Sequence, residues 1–337
     1  MTKNQRIAAF TKLGDYLRKD DSDIASLLLS TEIKNPWYTA ENVNRQLRAI
    51  TQNLTESKLE SWTAQIPQKL SDKTVALVLA GNIPLVGFHD ILSVLISGFR
   101  VQIKPSSDDA GLTVWLLQQL IQIEPLFADK IEIVERLGMH DLIIATGSNN
   151  SARYFEYYFG KKPHIIRKNR NSVAILQGNE SSDQLLQLGH DIFDYFGLGC
   201  RSVSKIYIPE HYDISAFYEG IATFHPIGQH HKYANNYDYN KSIFLINGDI
   251  HFDNGFLLLK EDTQWASPLA VVHFERYTSL TDVAADIHAA QDHIQCVVSS
   301  SSISLNVPVF AFGESQCPAL DDYADGIDIL AFLEKHR

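Results

Sequence analysis

The chain has only three cysteines, Cys200, Cys296 and Cys317. So odd and sparse a set builds no disulfide framework, and a reducing compartment is expected. No G-x-G-x-x-G occurs, which removes the standard Rossmann fingerprint, and no G-x-x-x-x-G-K-[ST] occurs, which argues against P-loop phosphoryl transfer. Neither C-x-x-C nor H-E-x-x-H is present. His225, His230 and His231 lie close together but lack acidic or cysteine partners at ligand spacing, so no metal is expected. A basic excess is missing too: 29 Lys and Arg stand against 40 Asp and Glu, a net charge of −11 with no cationic stripe, which argues against a nucleic-acid partner. The first twenty residues carry spread charges and no apolar core segment, unlike a secretory signal. The longest apolar region, residues 74–99, is interrupted by Asn82, Pro84, His89 and Asp90, so membrane insertion is not expected and cytoplasm is the default location. There is no internal repeat and no low-complexity linker.

What is present is ordinary globular composition, 45% hydrophobic and 20% charged in 337 residues, enough for a large core and two domains. Residues 5–65 read as helical: Ile7, Phe10, Leu13 and Leu17 share one face, and Thr39 caps a helix carrying Val43, Leu47 and Ile50. Trp37 and Tyr38 read as packing residues. From Thr74 strand and helix patterns alternate: TVALVLAG, a helix from Pro84 to Ile96, RVQIKPSS, a helix over 112–122, IEIVERL, LIIATGS and the helix SARYFEYYF. A second unit starts near Asn171 with SVAILQG, a helix, and a strand opened by Cys200. Such alternation predicts mostly parallel, doubly wound sheets, whose ligands sit beyond the carboxyl ends of the strands. The turns AGN at 80–82, KPSS at 104–107 and TGS at 146–148 all fall at such ends. Residues 225–256, rich in His, Asn, Tyr and Gly, read as a long, partly irregular insertion able to line a substrate path or simply to pack.

The chemistry centres on Cys200 in FDYFGLGCRSVSKIYIP. Gly197 and Gly199 leave room for a ligand to approach the sulfur, and Arg201 supplies a cation that favours thiolate. Covalent attack on a carbonyl carbon stands here against a small buried hydrophobe. Acyl transfer needs an oxyanion hole, and the Asn82 amide is a candidate donor, or else a turn asparagine. Lys104 is either a ribose or phosphate ligand or a solvated lysine, and Thr146-Gly147-Ser148 either an anion-binding helix start or a plain cap.

These pieces, in this order over roughly residues 35–335, resemble the aldehyde dehydrogenase superfamily, and within it the LuxC-type acyl-CoA reductase family. AGNIPLVGFHDILSVLISGFRVQIKPSS resembles the superfamily's asparagine-proline helix and lysine-proline-serine strand end, IIATGS its cofactor-side turn, and GLGCRS the nucleophile segment. WASPLAVVHFERY resembles the segment before a late catalytic-domain strand, and GESQCPALDDYADGIDILAFL the C-terminal signature of the LuxC-type branch.

The resemblance implies two doubly wound, mostly parallel α/β domains with a helical N-terminal segment. It divides the chain into 1–170 with the nucleotide domain, 171–305 with the nucleophile, and 306–337 packing back on the core. It implies Cys200 as acyl-accepting nucleophile and Asn82 with the Cys200 N–H as oxyanion hole. Lys104, Ser106, Ser107, Thr146, Gly147 and Ser148 would contact a nicotinamide dinucleotide. The implied reaction is reduction of an acyl-CoA, or another acyl thioester, to an aldehyde, in a homo-oligomer that admits an acyl-donor partner protein. Three departures refine this. IIRKNRNSVAIL lacks the water-activating glutamate of aldehyde-oxidising members, which favours exchange with a thiol over hydrolysis. Ser107 stands where NAD-preferring relatives often carry a glutamate, which favours NADPH, with NADH as the alternative. The second cofactor-side glutamate is replaced around Gln264 and Trp265. A cysteine acyltransferase or thioesterase without hydride transfer, and a non-catalytic nucleotide-binding subunit, are the competing readings.

Overall fold

The computed structural model describes residues 1–19, 22–301 and 303–337. They form two compact units, Met1–Asn169 with Pro318–Arg337, and Arg170–Cys317.

The first unit opens with four helices, α1 (Lys3–Leu17), α2 (Ser22–Lys34), α3 (Ala40–Asn53) and α4 (Glu56–Trp62). Thr2 and Gln5 form a capping box that fixes the start of α1. Ile7, Phe10, Leu13 and Leu17 are all buried, each worth about 1.5–3 kcal/mol relative to exposure. Thr39 caps α3, accepting from the Asn42 N–H. There follow β1 (Thr74–Val78), α5 (Phe88–Ile96), β2 (Arg100–Lys104), α6 (Leu112–Ile123), β3 (Ile131–Ile133), β4 (Leu142–Thr146), α7 (Asn149–Phe159) and β5 (His164–Arg167). The sheet runs β3-β2-β1-β4-β5, parallel throughout. The helix expected from Pro84 begins only at Phe88. Residues 84–87 are turns, and Leu85 there takes φ +51°, outside helical space.

The second unit contains β6 (Asn171–Ile175), α8 (Ser182–Phe193), β7 (Val203–Pro209), α9 (Ile214–Gly220), α10 (His231–Asn247), β8 (Phe252–Asp253), β9 (Leu258–Glu261), β10 (Val271–Tyr277), α11 (Leu280–Ala289), β11 (Ile294–Ser299) and β12 (Val309–Phe310). Its sheet runs β12-β11-β6-β7-β10-β9-β8, antiparallel only at β8. Apolar clusters cover both faces, as a parallel sheet requires.

Two expectations change. The stretch 225–256 is largely ordered helix, because Tyr233, Tyr237, Asn240 and Phe244 form one buried face at helical spacing. Asn236 and Ser242 donate back to the carbonyls of Lys232 and Asp238, absorbing polar groups that would otherwise compete with the helix. The returning tail starts at Pro318 rather than at residue 306, since Val309–Phe310 pairs with β11 and keeps that stretch in the second sheet. Beyond it Asn53 donates to the Pro318 carbonyl at 2.9 Å, Trp62 to the Tyr323 hydroxyl at 3.0 Å, and α12 (Ile329–Lys335) buries Ile329 and Leu333 in the first core. Among the described residues, no helix is long and apolar enough to cross a membrane.

Candidate active site

In the first sheet β1 lies between β2 and β4, so strand order reverses beside it. The turns after these three adjacent parallel strands are AGN, KPSS and TGS, so the sheet order brings all three to one end, at the switch point where doubly wound sheets hold ligands.

Two glycines make the turns fit. A Cβ on Gly81 would lie 2.5 Å from Ser106 Oγ and 2.6 Å from Ser106 Cβ, so only glycine lets the first two turns touch. A Cβ on Gly147 would meet Ser151 Cβ at 2.9 Å and the Phe155 ring at 3.0 Å, at the start of α7. Ser148 caps that helix, accepting from the Ser151 N–H at 3.2 Å. Asn82 is exposed on the first turn, Lys104 half-buried at the end of β2, and Ser107 and Ser148 exposed.

The support beneath these turns is more specific than the sequence suggested. Fully buried Tyr38 places its hydroxyl 2.9 Å from the Gly81 carbonyl and 3.1 Å from the Ile83 carbonyl, bracing the loop that carries Asn82. Burial raises the Tyr38 pKa and keeps that proton in place. Arg167 donates to Asp90 at 2.8 Å and lies 3.4 Å from Thr146 Oγ1, a buried ion pair behind the third turn. Asp90 is the charge that interrupts the apolar run at 74–99, and that intrusion was the signal for this pair. A cavity of ≈450 Å³ opens beside the second turn, lined by Lys34, Ser106, Ser107, Asp108, Asp109 and Gly111 among others. Buried Asp109 is engaged by the Thr113 N–H and hydroxyl, and the exposed Lys34 and Asp108 are the other charged groups of the lining. Nothing in the local sequence linked Lys34, on α2, to a turn seventy residues away.

Cys200 belongs to the second unit, three residues before β7 and partly exposed. The backbone leading to it is unusual: Tyr195, Phe196 and Gly197 take φ of +55°, +59° and +76° in succession. Left-handed conformations at non-glycine residues cost roughly 1–3 kcal/mol each and persist only where surrounding structure enforces them. Here Tyr195 and Phe196 are buried, and Phe196 packs on His230 at 4.3 Å and on Tyr233 at 6.3 Å, so α10 clamps the strained segment. Gly199 N–H donates to Ser202 Oγ at 3.2 Å, and Gln316 donates to the same oxygen at 3.3 Å. Asp191, fully buried on α8, accepts from Gly313 N–H at 2.6 Å, Ser315 N–H at 3.1 Å and Ser315 Oγ at 2.6 Å. Burial raises its pKa to about 6. The GESQ segment is thereby bound to α8 and, through Gln316, to the turn that carries Cys200. Arg201 is buried, with its guanidinium 5.7 Å from the centre of the Phe310 ring.

Solved structures share this architecture. Aldehyde dehydrogenase 21 from Physcomitrella patens, in complex with the reaction product succinate, matches with a TM-score of 0.71 and 14% identity, over 100% of this chain and 84% of that one. A NAD-dependent benzaldehyde dehydrogenase from Corynebacterium glutamicum matches at 0.68 and 12% identity, over 94% and 83%. An aldehyde dehydrogenase from Bacillus cereus, in its NAD+ complex, matches at 0.66 and 11%, over 92% and 76%. The fold is therefore that of the aldehyde dehydrogenase superfamily. The family model of the acyl-CoA reductase LuxC matches residues 44–222, more than half of the chain, and the protein belongs to that family. Among curated proteins, nothing matches the chain.

Proposed function

We propose that the chain is an NADPH-dependent acyl-CoA reductase that carries the acyl group on Cys200. The observation that carries this reading is the Cys200 turn, a partly exposed thiol held by enforced left-handed backbone, in a chain of the LuxC family. The Cys200 thiolate attacks the thioester carbonyl carbon, a new C–S bond forms, the bond to CoA breaks, and CoA leaves as a thiolate that takes a proton from solvent. The Asn82 amide and the Cys200 N–H are assigned to the negative oxygen of each tetrahedral species.

The first unit fits a dinucleotide: Gly81 and Gly147 let the strand-end turns pack closely on Ser106 and on α7, and α7 offers a capped, eleven-residue helix start. Lys104, Ser106, Ser107, Thr146, Gly147 and Ser148 would hold it, and the B. cereus relative is described with NAD+. When bound, a reduced nicotinamide supplies the hydride that takes the acyl-cysteine to the aldehyde. Lys34 beside Ser106 and Ser107 supports a 2′-phosphate in that cavity, hence NADPH over NADH. The stretch 165–176 offers no carboxylate to activate water, which favours exchange of the acyl group with a thiol over its hydrolysis.

The deciding experiment is a panel of acyl-CoAs assayed for NADPH and NADH consumption, with Cys200→Ala as control. Consumption with at least one acyl-CoA, lost in Cys200→Ala, is expected. Acyl-CoA turnover without reduced cofactor would make the protein a thioesterase or acyltransferase. Nucleotide binding with an unreactive Cys200 would make it a non-catalytic subunit.

A further inference from the structure

β6 is irregularly paired on both sides, and both irregularities adjoin Ser172. Toward β11 the register passes from Asn171↔Ile294 to Val173↔Val297, so Gln295 and Cys296 together face Ser172. Toward β7 it passes from Ser172↔Val203 to Val173↔Lys205, so Ser204 is the extra residue. Bulges are rare between parallel strands, and they re-aim side chains next to active sites. Two beside one residue mark a place where regular pairing gives way to side-chain geometry.

That geometry is a hydrogen-bond chain. Ser172 is fully buried, and its hydroxyl donates to the Cys200 carbonyl at 3.0 Å. Its oxygen also lies 3.1 Å from the sulfur of Cys296, which is fully buried on β11. A carbonyl only accepts and a hydroxyl has one proton, so the Ser172 proton is committed to Cys200. The Cys296 contact is then S–H donating to Ser172 Oγ. Each link polarises the next in a dry interior.

We propose that Ser172 and Cys296 are positioning residues for Cys200: the relay from the Cys296 thiol through the Ser172 hydroxyl to the Cys200 carbonyl fixes the peptide that follows the nucleophile. It holds the ψ angle of Cys200, and with it the setting of the residue's side chain, against the strain built up at Tyr195 and Phe196. The two sulfurs thus divide their roles, Cys296 as a protonated donor and Cys200 as the thiolate. The inference rests on the reading of Cys200 as nucleophile.

The test compares Cys296→Val with Cys296→Ser. Valine keeps apolar volume and removes the donor, while serine keeps a donor and adds polarity to a dry site. The readouts are the rate of Cys200 alkylation by iodoacetamide across pH, located by mass spectrometry, and the rate of acyl-enzyme formation with acyl-CoA. Since small misplacements of a reacting group cost up to about 100-fold, Cys296→Val and Ser172→Ala should both slow these rates roughly 10- to 100-fold. Cys296→Ser should stay near the wild type, and nucleotide affinity should not move. A pure packing role gives the reverse order, valine tolerated and serine damaging, and that result overturns the relay. Equal rates in both Cys296 variants overturn it as well. If wild-type Cys200 alkylates normally yet never forms an acyl-enzyme, the reductase reading fails, while the order of alkylation rates still judges the relay.

Discussion

The two units fix their chemical groups by opposite means. In the first, the turns after β1, β2 and β4 lie beyond the strand ends, and side chains are removed so that backbone can approach: Gly81 against Ser106, Gly147 against α7. In the second, Cys200 sits at the entry to β7, and bulky residues are forced into backbone that glycine would adopt freely, Tyr195 and Phe196 at positive φ. A site for an extended anionic ligand needs open N–H groups and space. The nucleophile proposed for the second unit needs one side chain held in one direction, and strain held by packing can provide that.

The sharpest break in this comparison is at its centre. Cys200→Ser should abolish acyl-enzyme formation, read as loss of the mass shift with acyl-CoA; an unchanged shift would remove the nucleophile. Next, Asn82→Ala should lower turnover about 100- to 1,000-fold, the usual consequence of losing one oxyanion donor, while nucleotide binding by fluorescence titration stays intact. Unchanged turnover would return Asn82 to the status of a turn residue. Gly81→Ala tests the close packing of the first two turns. Its Cβ would strike Ser106, so stability should fall by about 1–3 kcal/mol in denaturant unfolding and nucleotide affinity should fall with it, while Cys200 alkylation is unaffected. Lys34→Ala should weaken NADPH binding several-fold and leave NADH unmoved; parallel losses for both would detach Lys34 from the 2′-phosphate.

The smallest effect concerns Asp191. Its folded pKa, about 6, lies above the ordinary 3.8, so the folded chain holds the proton more tightly than the unfolded one. Its contribution to stability is complete below about pH 3.8 and is lost as pH rises through 6. Asp191→Asn should therefore flatten the pH dependence of unfolding between those values, and an unchanged slope would place the titration elsewhere.

Much of this was legible in sequence because it depends on local periodicity. The strands at Thr74, Arg100 and Leu142 announce themselves by short apolar runs, and Thr39 and Ser148 by cap chemistry. Residues 248–256 are largely irregular, as read from the sequence, but the helix within 225–256 was missed because its buried face is built from Tyr233, Tyr237 and Asn240, which carry polar groups. The late start of α5 follows from Leu85, whose positive φ no propensity scale anticipates. Tyr38 was legible as a packing aromatic, but its hydroxyl's partners were not, since Gly81 and Ile83 are more than forty residues away.

The order of motifs along the chain determined the family and the parallel sheets and singled out the candidate Cys200, because periodicity, caps and glycine turns act between residues a few positions apart. Strand order and packing decided the rest: which turns share an edge, that Lys34 lines the cavity at Ser106, that Arg167 answers Asp90, and that Ser172 joins Cys296 to Cys200. Those pairings span from twenty-eight to more than a hundred positions in the chain, and a hydrogen bond or an ion pair depends on distance in space, which sequence separation does not encode.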